Sequence, residues 1–269
     1  MMIIAGDGKA NVFGIDTLDN RAWQNSEVAS RIGAFSKDER NGDFDIVLTN
    51  PPFSGKVTGK AKLSAYDLYE LALTGELRSD ESEDESDESK MEILTSVSNN
   101  NTKRRSYRSV NSMTRDILFL ERCLDLLKPG GRMAIVLPQG NFNNLGTASL
   151  RSWISSRARV LAIVGLHINT FKKFTNTKTS VLFLQKWGGE TGEPLLDYPI
   201  FMAISQKSGK NNSGQYKYKR DTEGNLVDEN NISVTESGKP PAIDHDLNEI
   251  ADSFIEWGIK QKLSFLKGD

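Results

Sequence analysis

The chain has 269 residues, 37% of them hydrophobic and 26% charged, with a formal net charge of −2; this suits a globular protein of one large domain or two modest ones, with some loop that does not fold. The single cysteine, Cys123, excludes an internal disulfide and a cysteine-based metal cluster, and implies a cytoplasmic setting. No stretch is long and apolar enough to span a membrane, and the opening MMIIAGDGKANVFG lacks the basic-then-apolar pattern of a leader.

The first predicted strand is 43–49 (DFDIVLT). An acidic, serine-rich block at 76–92 then carries nine acids against two bases, so the rest of the chain sums to +5. Such a block has little apolar surface to bury and repels itself, which predicts disorder. In the following NNNTKRRSYRS, Lys103, Arg104, Arg105 and Arg108 flank Tyr107, as either a solvated loop or a mobile nucleic-acid contact. Residues 76–112 together read as an insertion.

A helix is predicted over 115–127, where Ile117, Leu120, Leu124 and Leu127 recur at helical steps and Cys123 falls on the buried face. Lys128, Pro129, Gly130 and Gly131 stop it, the glycines allowing a left-handed turn into a strand over 132–137. A helix at 147–156 has Thr147 as its cap and Leu150, Trp153 and Ile154 inward. Strands at 160–166 and 179–186 follow. All four strands are short apolar runs, as expected where both faces are covered, and their alternation with helices predicts an α/β layer with a largely parallel sheet. Residues 1–190 read as one domain, and 191–269 as a loop-rich extension. It ends in a helix from about Asp246, with Leu247, Ile250, Phe254 and Trp257 as its apolar stripe.

The chemistry concentrates where the first strand stops, at Asn50-Pro51-Pro52-Phe53. A residue before proline is held extended, and neither proline can donate to a ladder. The carbonyl of Pro51 is thus held rigidly beside the side-chain oxygen of Asn50, at the carboxyl end of a strand, where open α/β sheets bind ligands. Two fixed neutral acceptors suit an exocyclic amine with two N–H donors, and Phe53 offers its ring a stacking face. A plain Pro-Pro turn with a surface aromatic is the alternative.

FDIVLTNPPF resembles the catalytic motif of S-adenosylmethionine-dependent N-6 adenine-specific DNA methyltransferases. GDGKANVFGIDTL, LKPGGRMAIVLP, the series LRSWI, VLAIVGL and TKTSVLFLQK, and YPIFMA resemble, in order, segments of the modification subunit of type I restriction–modification systems. The resemblance implies a partial doubly wound, Rossmann-like methyltransferase sheet and transfer of a methyl group from S-adenosylmethionine to a flipped adenine. It implies catalytic roles for Asn50, Pro51, Pro52 and Phe53 and a cofactor contact for Asp16, which as a turn or cap before Leu18 reads equally well. DNA, a specificity subunit and a restriction subunit are the implied partners, with no metal and no membrane.

The family's glycine-rich cofactor loop has no clear counterpart, since no strand delivers the glycines of AGDGKANVFG. The chain therefore reads as the carboxyl-terminal half of such a subunit, inactive until an amino-terminal methyltransferase fragment complements it, with 45–48 as an open apolar edge. His167 stands where the family more often has proline, and reads as a loop residue. Two rival readings are a methyltransferase acting on a glutamine side chain or an RNA base amine, and a non-catalytic scaffold remnant.

Overall fold

The computed structural model describes residues 14, 16–19, 42, 44–53, 55–58, 112–144 and 147–266. In chain order its elements are β1 (Phe44–Thr49), β2 (Lys56–Thr58), β3 (Ser112–Thr114), α1 (Arg115–Leu126), β4 (Leu127–Pro138), α2 (Ala148–Arg157), β5 (Ala158–Gly165), β6 (Thr179–Lys186), β7 (Phe201–Ile204) and α3 (Leu247–Lys260). One-turn helices at Gly140–Asn143 and Val234–Ser237 complete the α-helical set among the described residues. The insertion read at 76–112, apart from its last residue, lies outside the described residues, as do the basic residues around Tyr107.

The chain divides into two units, Met1–Asp43 with Ser54–Leu126, and Phe44–Phe53 with Leu127–Asp269. In the first, β2 and β3 pair antiparallel, and Arg115 N donates to Gly55 O (3.1 Å) where α1 begins. Leu118, Leu120, Cys123 and Leu124 of α1 are buried, while Ile117 is only half-buried. Burial pushes the Cys123 thiol up to about 12, as suits an inert core thiol.

The second unit is built on a five-stranded sheet of order β1-β4-β6-β5-β7. The largely parallel sheet expected from the alternation is instead mixed. β1 runs parallel to β4 and β7 to β5, but β6 lies antiparallel between β4 and β5. Residues 166–178 between β5 and β6 contain no helix to carry a parallel crossover, so the chain turns back beside its own strand. The sheet core is Met133, Ile135, Leu137, Leu161, Val164, Leu182 and Leu184. The class is α/β, with a mixed rather than parallel sheet.

β4 begins five residues earlier than the apolar run suggested. Phe44 pairs with Leu127 and Ile46 with Arg132, so Lys128–Gly131 bulge out of the ladder. Gly130 takes the left-handed conformation (φ 79°). Gly131 does not; its role is close approach, since a Cβ there would lie 3.0 Å from the carbonyl oxygen of Phe44.

Coverage of both faces holds for the central strands and fails for β1. Phe44, Ile46 and Leu48 share one face and are 39%, 53% and 75% exposed. In α2, Leu150 and Ile154 are buried and Trp153 is half-buried. The hydroxyl of Thr147 makes no cap bond but donates to Asn144 O (2.8 Å) and accepts from Arg151 (2.9 Å). In α3, Phe254 and Trp257 meet Phe201 of β7 at 5.4 and 5.7 Å, and Phe254 also stacks on Phe183. Leu247, expected on that stripe, is exposed because the packing begins a turn later. No helix among the described residues is long and apolar enough to cross a membrane.

Candidate functional site

Since β4 and β5 are both antiparallel to β6, the carboxyl ends of β1, β4 and β5 share one end of the sheet. Residues 50–53, the turn after Pro138 and the loop 166–178 gather there. Gln139 N donates to Lys178 O (2.9 Å) and Leu166 N to Thr179 O (2.9 Å), which pins the loop at both ends. At the opposite end of β1, the Lys128 ammonium bonds to Asp45 and holds its carboxyl below the usual range.

The strand stops at Asn50 because Pro51 and Pro52 have no N–H to continue it. Asn50 and Pro52 are exposed, Pro51 is buried and Phe53 is part-buried. No described residue donates a hydrogen bond to the Asn50 side chain or the Pro51 carbonyl. The buried Pro51 thus anchors a corner whose neighbours, Asn50 and Pro52, are exposed. The Phe53 ring meets Phe171 edge-on at 5.3 Å, with planes at 67°.

Asp16 belongs to the other unit. Its Oδ1 accepts from Leu18 N (3.0 Å) and its carbonyl from Asp19 N (3.1 Å), the turn that the sequence allowed as its second role. His167 Nδ1 accepts from Asn169 N (3.1 Å), and His245 Nδ1 from Leu247 N (3.2 Å), so each histidine closes a local turn.

Two features of the site carry little local signal in the sequence. Phe171 is one of two phenylalanines in a polar loop, and nothing in its local pattern marks it as the neighbour of Phe53. The extension is also more ordered than its composition suggests, with antiparallel bridges Ser208–His245, Lys210–Tyr216, Tyr218–Ile243 and Arg220–Leu226. It braces the site loop: Lys210 Nζ donates to Thr170 O (2.8 Å) and Asn169 Nδ2 to Asn212 Oδ1 (2.9 Å). The alternation Tyr216-Lys217-Tyr218-Lys219 was the available signal.

The Eco57I restriction-modification methylase model matches residues 9–174, and the N-6 DNA Methylase model matches 92–258. No curated protein matches the chain. Similar solved structures include a modification subunit assigned to a type I restriction enzyme from Vibrio vulnificus (19% identity, 65% of this chain and 27% of that one, TM-score 0.35). Another is the type I restriction-modification methyltransferase subunit from Streptococcus thermophilus (23% identity, 60% and 27%, TM-score 0.35). A third is a protein assigned as a class I S-adenosylmethionine-dependent methyltransferase from Listeria monocytogenes (23% identity, 36% and 28%, TM-score 0.32). The chain spans less than a third of the length of each. Matched over more than half of its length, the chain belongs to the N-6 DNA methylase family, among the restriction-modification methylases.

Proposed function

We propose that the chain transfers the methyl group of S-adenosylmethionine to N6 of an adenine in DNA, as the modification component of a type I restriction–modification assembly. The observation that carries this reading is the acceptor pair after β1: the exposed Asn50 side chain and the Pro51 carbonyl, neither engaged by a described residue. An exocyclic amine on a purine is a weak nucleophile because its lone pair is delocalised into the ring. Accepting both of its hydrogens draws that pair back onto nitrogen. The proline rings keep φ fixed, so the carbonyl needs no rearrangement at the moment of reaction.

N6 is unreachable in a stacked pair, so the adenine must leave the duplex. Phe53 then receives the purine face, a contact worth roughly 1–3 kcal/mol. S-adenosylmethionine supplies the electrophilic methyl when bound. Among the described residues no cradle for it is assembled. Asp16 already uses Oδ1 in its own turn, and the glycines of AGDGKANVFG other than Gly14 lie outside the described residues. We assign the cradle to a complementing methyltransferase segment that adds a strand at β1, which ends the sheet among the described residues and leaves Ile46 and Leu48 uncovered. Specificity and restriction subunits are the further partners of the proposal, with target choice left to the former.

The test is tritium transfer from labelled S-adenosylmethionine to unmethylated DNA by the assembled complex. Asn50→Ala is expected to cut transfer about 100-fold or more, by analogy with removal of one positioned hydrogen-bonding group from an active site. Transfer by Asn50→Ala at the parental rate overturns the reading, and transfer by the purified chain alone overturns its complementation half.

A further inference from the structure

The extension carries an open groove of about 920 Å³ lined by Lys207, Tyr216, Lys217, Tyr218, Lys219 and Arg220. That is the upper end of the roughly 300–1,000 Å³ seen for ligand pockets, but this lining is polar and cationic, which fits a length of polyanion better than a compact apolar ligand. Tyr216 and Tyr218 lie two residues apart in extended chain and so share a side, Lys217 and Lys219 alternating to the other, while all four line the groove. They are 59% and 41% exposed, with ring centroids 6.4 Å apart and planes tilted by 37°. Exposed neighbouring rings of this kind have no role in the core.

The charges of the groove do not cancel. Asp244 is ion-paired with Lys207 (3.1 Å), whereas Asp246 accepts from Ser205 and the backbone N–H groups of Gln206 and Lys207 and keeps its negative charge. Glu249 has no ion-pair partner among the described residues. Against Asp246 and Glu249 stand Lys217 and Lys219, which have no ion-pair partner among the described residues, and Arg220, which donates to Gly224 O, so four cations face three acids in the lining. The segment that precedes the groove's tyrosines contacts the site loop. Lys210 reaches Thr170 O while lying over the Tyr216 ring at 5.6 Å, and a Cβ on Gly214 would sit 3.1 Å from the carbonyl oxygen of Lys172.

We propose that this groove holds a single-stranded segment of DNA, with phosphates on Lys217, Lys219 and Arg220 and bases stacked on Tyr216 and Tyr218. Cations that track a backbone beside exposed aromatic faces are what sequence-tolerant strand binding requires. An acidic peptide would use the cations and leave the rings idle. The inference goes beyond methyl transfer and stands apart from it, since it concerns strand binding without cofactor.

The experiment is fluorescence anisotropy of the full chain with a labelled 20-nucleotide single strand, and with the matching duplex, across a salt series. Lys217→Ala/Lys219→Ala/Arg220→Ala should weaken binding of the single strand at least tenfold and flatten the slope of log K against log salt by about 2, some 0.7 for each lost phosphate contact. Tyr216→Ala/Tyr218→Ala should cost about tenfold on the single strand and less than twofold on the duplex, while Tyr216→Phe/Tyr218→Phe retains affinity. Strand binding is read without S-adenosylmethionine and on variants of the groove alone, whereas methyl transfer is read on Asn50→Ala, so failure here and failure of the methylation reading are separable. Equal losses on the two substrates, no loss on either, or displacement by poly-glutamate as effective as by unlabelled strand would each overturn the assignment.

Discussion

Phe53 and Phe171 meet edge-on with ring centroids 5.3 Å apart, so the aromatic that follows the two prolines is oriented by a loop far away in sequence. Edge-to-face pairs add about 0.5–1.5 kcal/mol beyond area burial. Phe171→Ala should therefore leave Asn50 and Pro51 intact but free the Phe53 ring to rotate. In the assembled enzyme the expected result is a severalfold rise in KM for DNA with a smaller change in kcat. A double-mutant cycle with Phe53→Ala should give a coupling of about 1 kcal/mol; additive effects would mean that the two rings act separately.

The uncovered face of β1 gives an opposite pair of outcomes. Ile46→Lys with Leu48→Lys removes exposed apolar surface and should reduce self-association of the isolated chain in light scattering, at little cost in melting temperature, because neither side chain is buried. The same variant should fail to recruit a complementing methyltransferase segment in pull-down. Unimpaired recruitment would move the docking surface elsewhere.

Asp246 ties the end of β7 to the start of α3. Burial pushes its carboxyl up, but the bonds from Ser205 Oγ (2.6 Å), Gln206 N (2.6 Å) and Lys207 N (3.2 Å) outweigh it and hold the group below the usual carboxylate range. A folded-state value below the unfolded one adds stability that is present above the ordinary aspartate value of about 3.9 and lost as pH falls through the depressed value. Asp246→Asn should cost about 1–2 kcal/mol in urea unfolding at pH 7. That difference should shrink steadily as the pH is lowered below about 4.

Gly131 is placed by contact rather than by conformation. A methyl group there would meet Lys128 O at 2.9 Å and Phe44 O at 3.0 Å, both backbone atoms that cannot step aside without moving the bulge. Gly131→Ala should destabilise by about 1–3 kcal/mol, as overpacking does. Gly130→Ala should cost about 1 kcal/mol through its left-handed φ alone. Equilibrium urea unfolding measures both.

Local rules sufficed wherever the energetics are local. Pro51 and Pro52 end β1 by lacking N–H groups, the strand at 179–186 is found at the residues its apolar run marks, and Cys123 sits on the buried face its helical spacing indicates. The chain by itself thus determined where the long helices and the four apolar strands lie, and that Asn50 and Pro51 stand at a strand end, but neither the start of β4 nor the short strands β2, β3 and β7. Tertiary structure decided what a pattern of apolar residues cannot encode. The direction of β6 depends on whether the linking segment can form a crossover helix, and 166–178 does not. The exposure of Ile46 and Leu48 depends on which segments are present to cover them, since aliphatic residues read the same whether buried or not. The meeting of Phe53 with Phe171, and of the extension with the site loop, arises only when the sheet brings its carboxyl ends together, because contacts between distant residues leave no periodic trace in the chain.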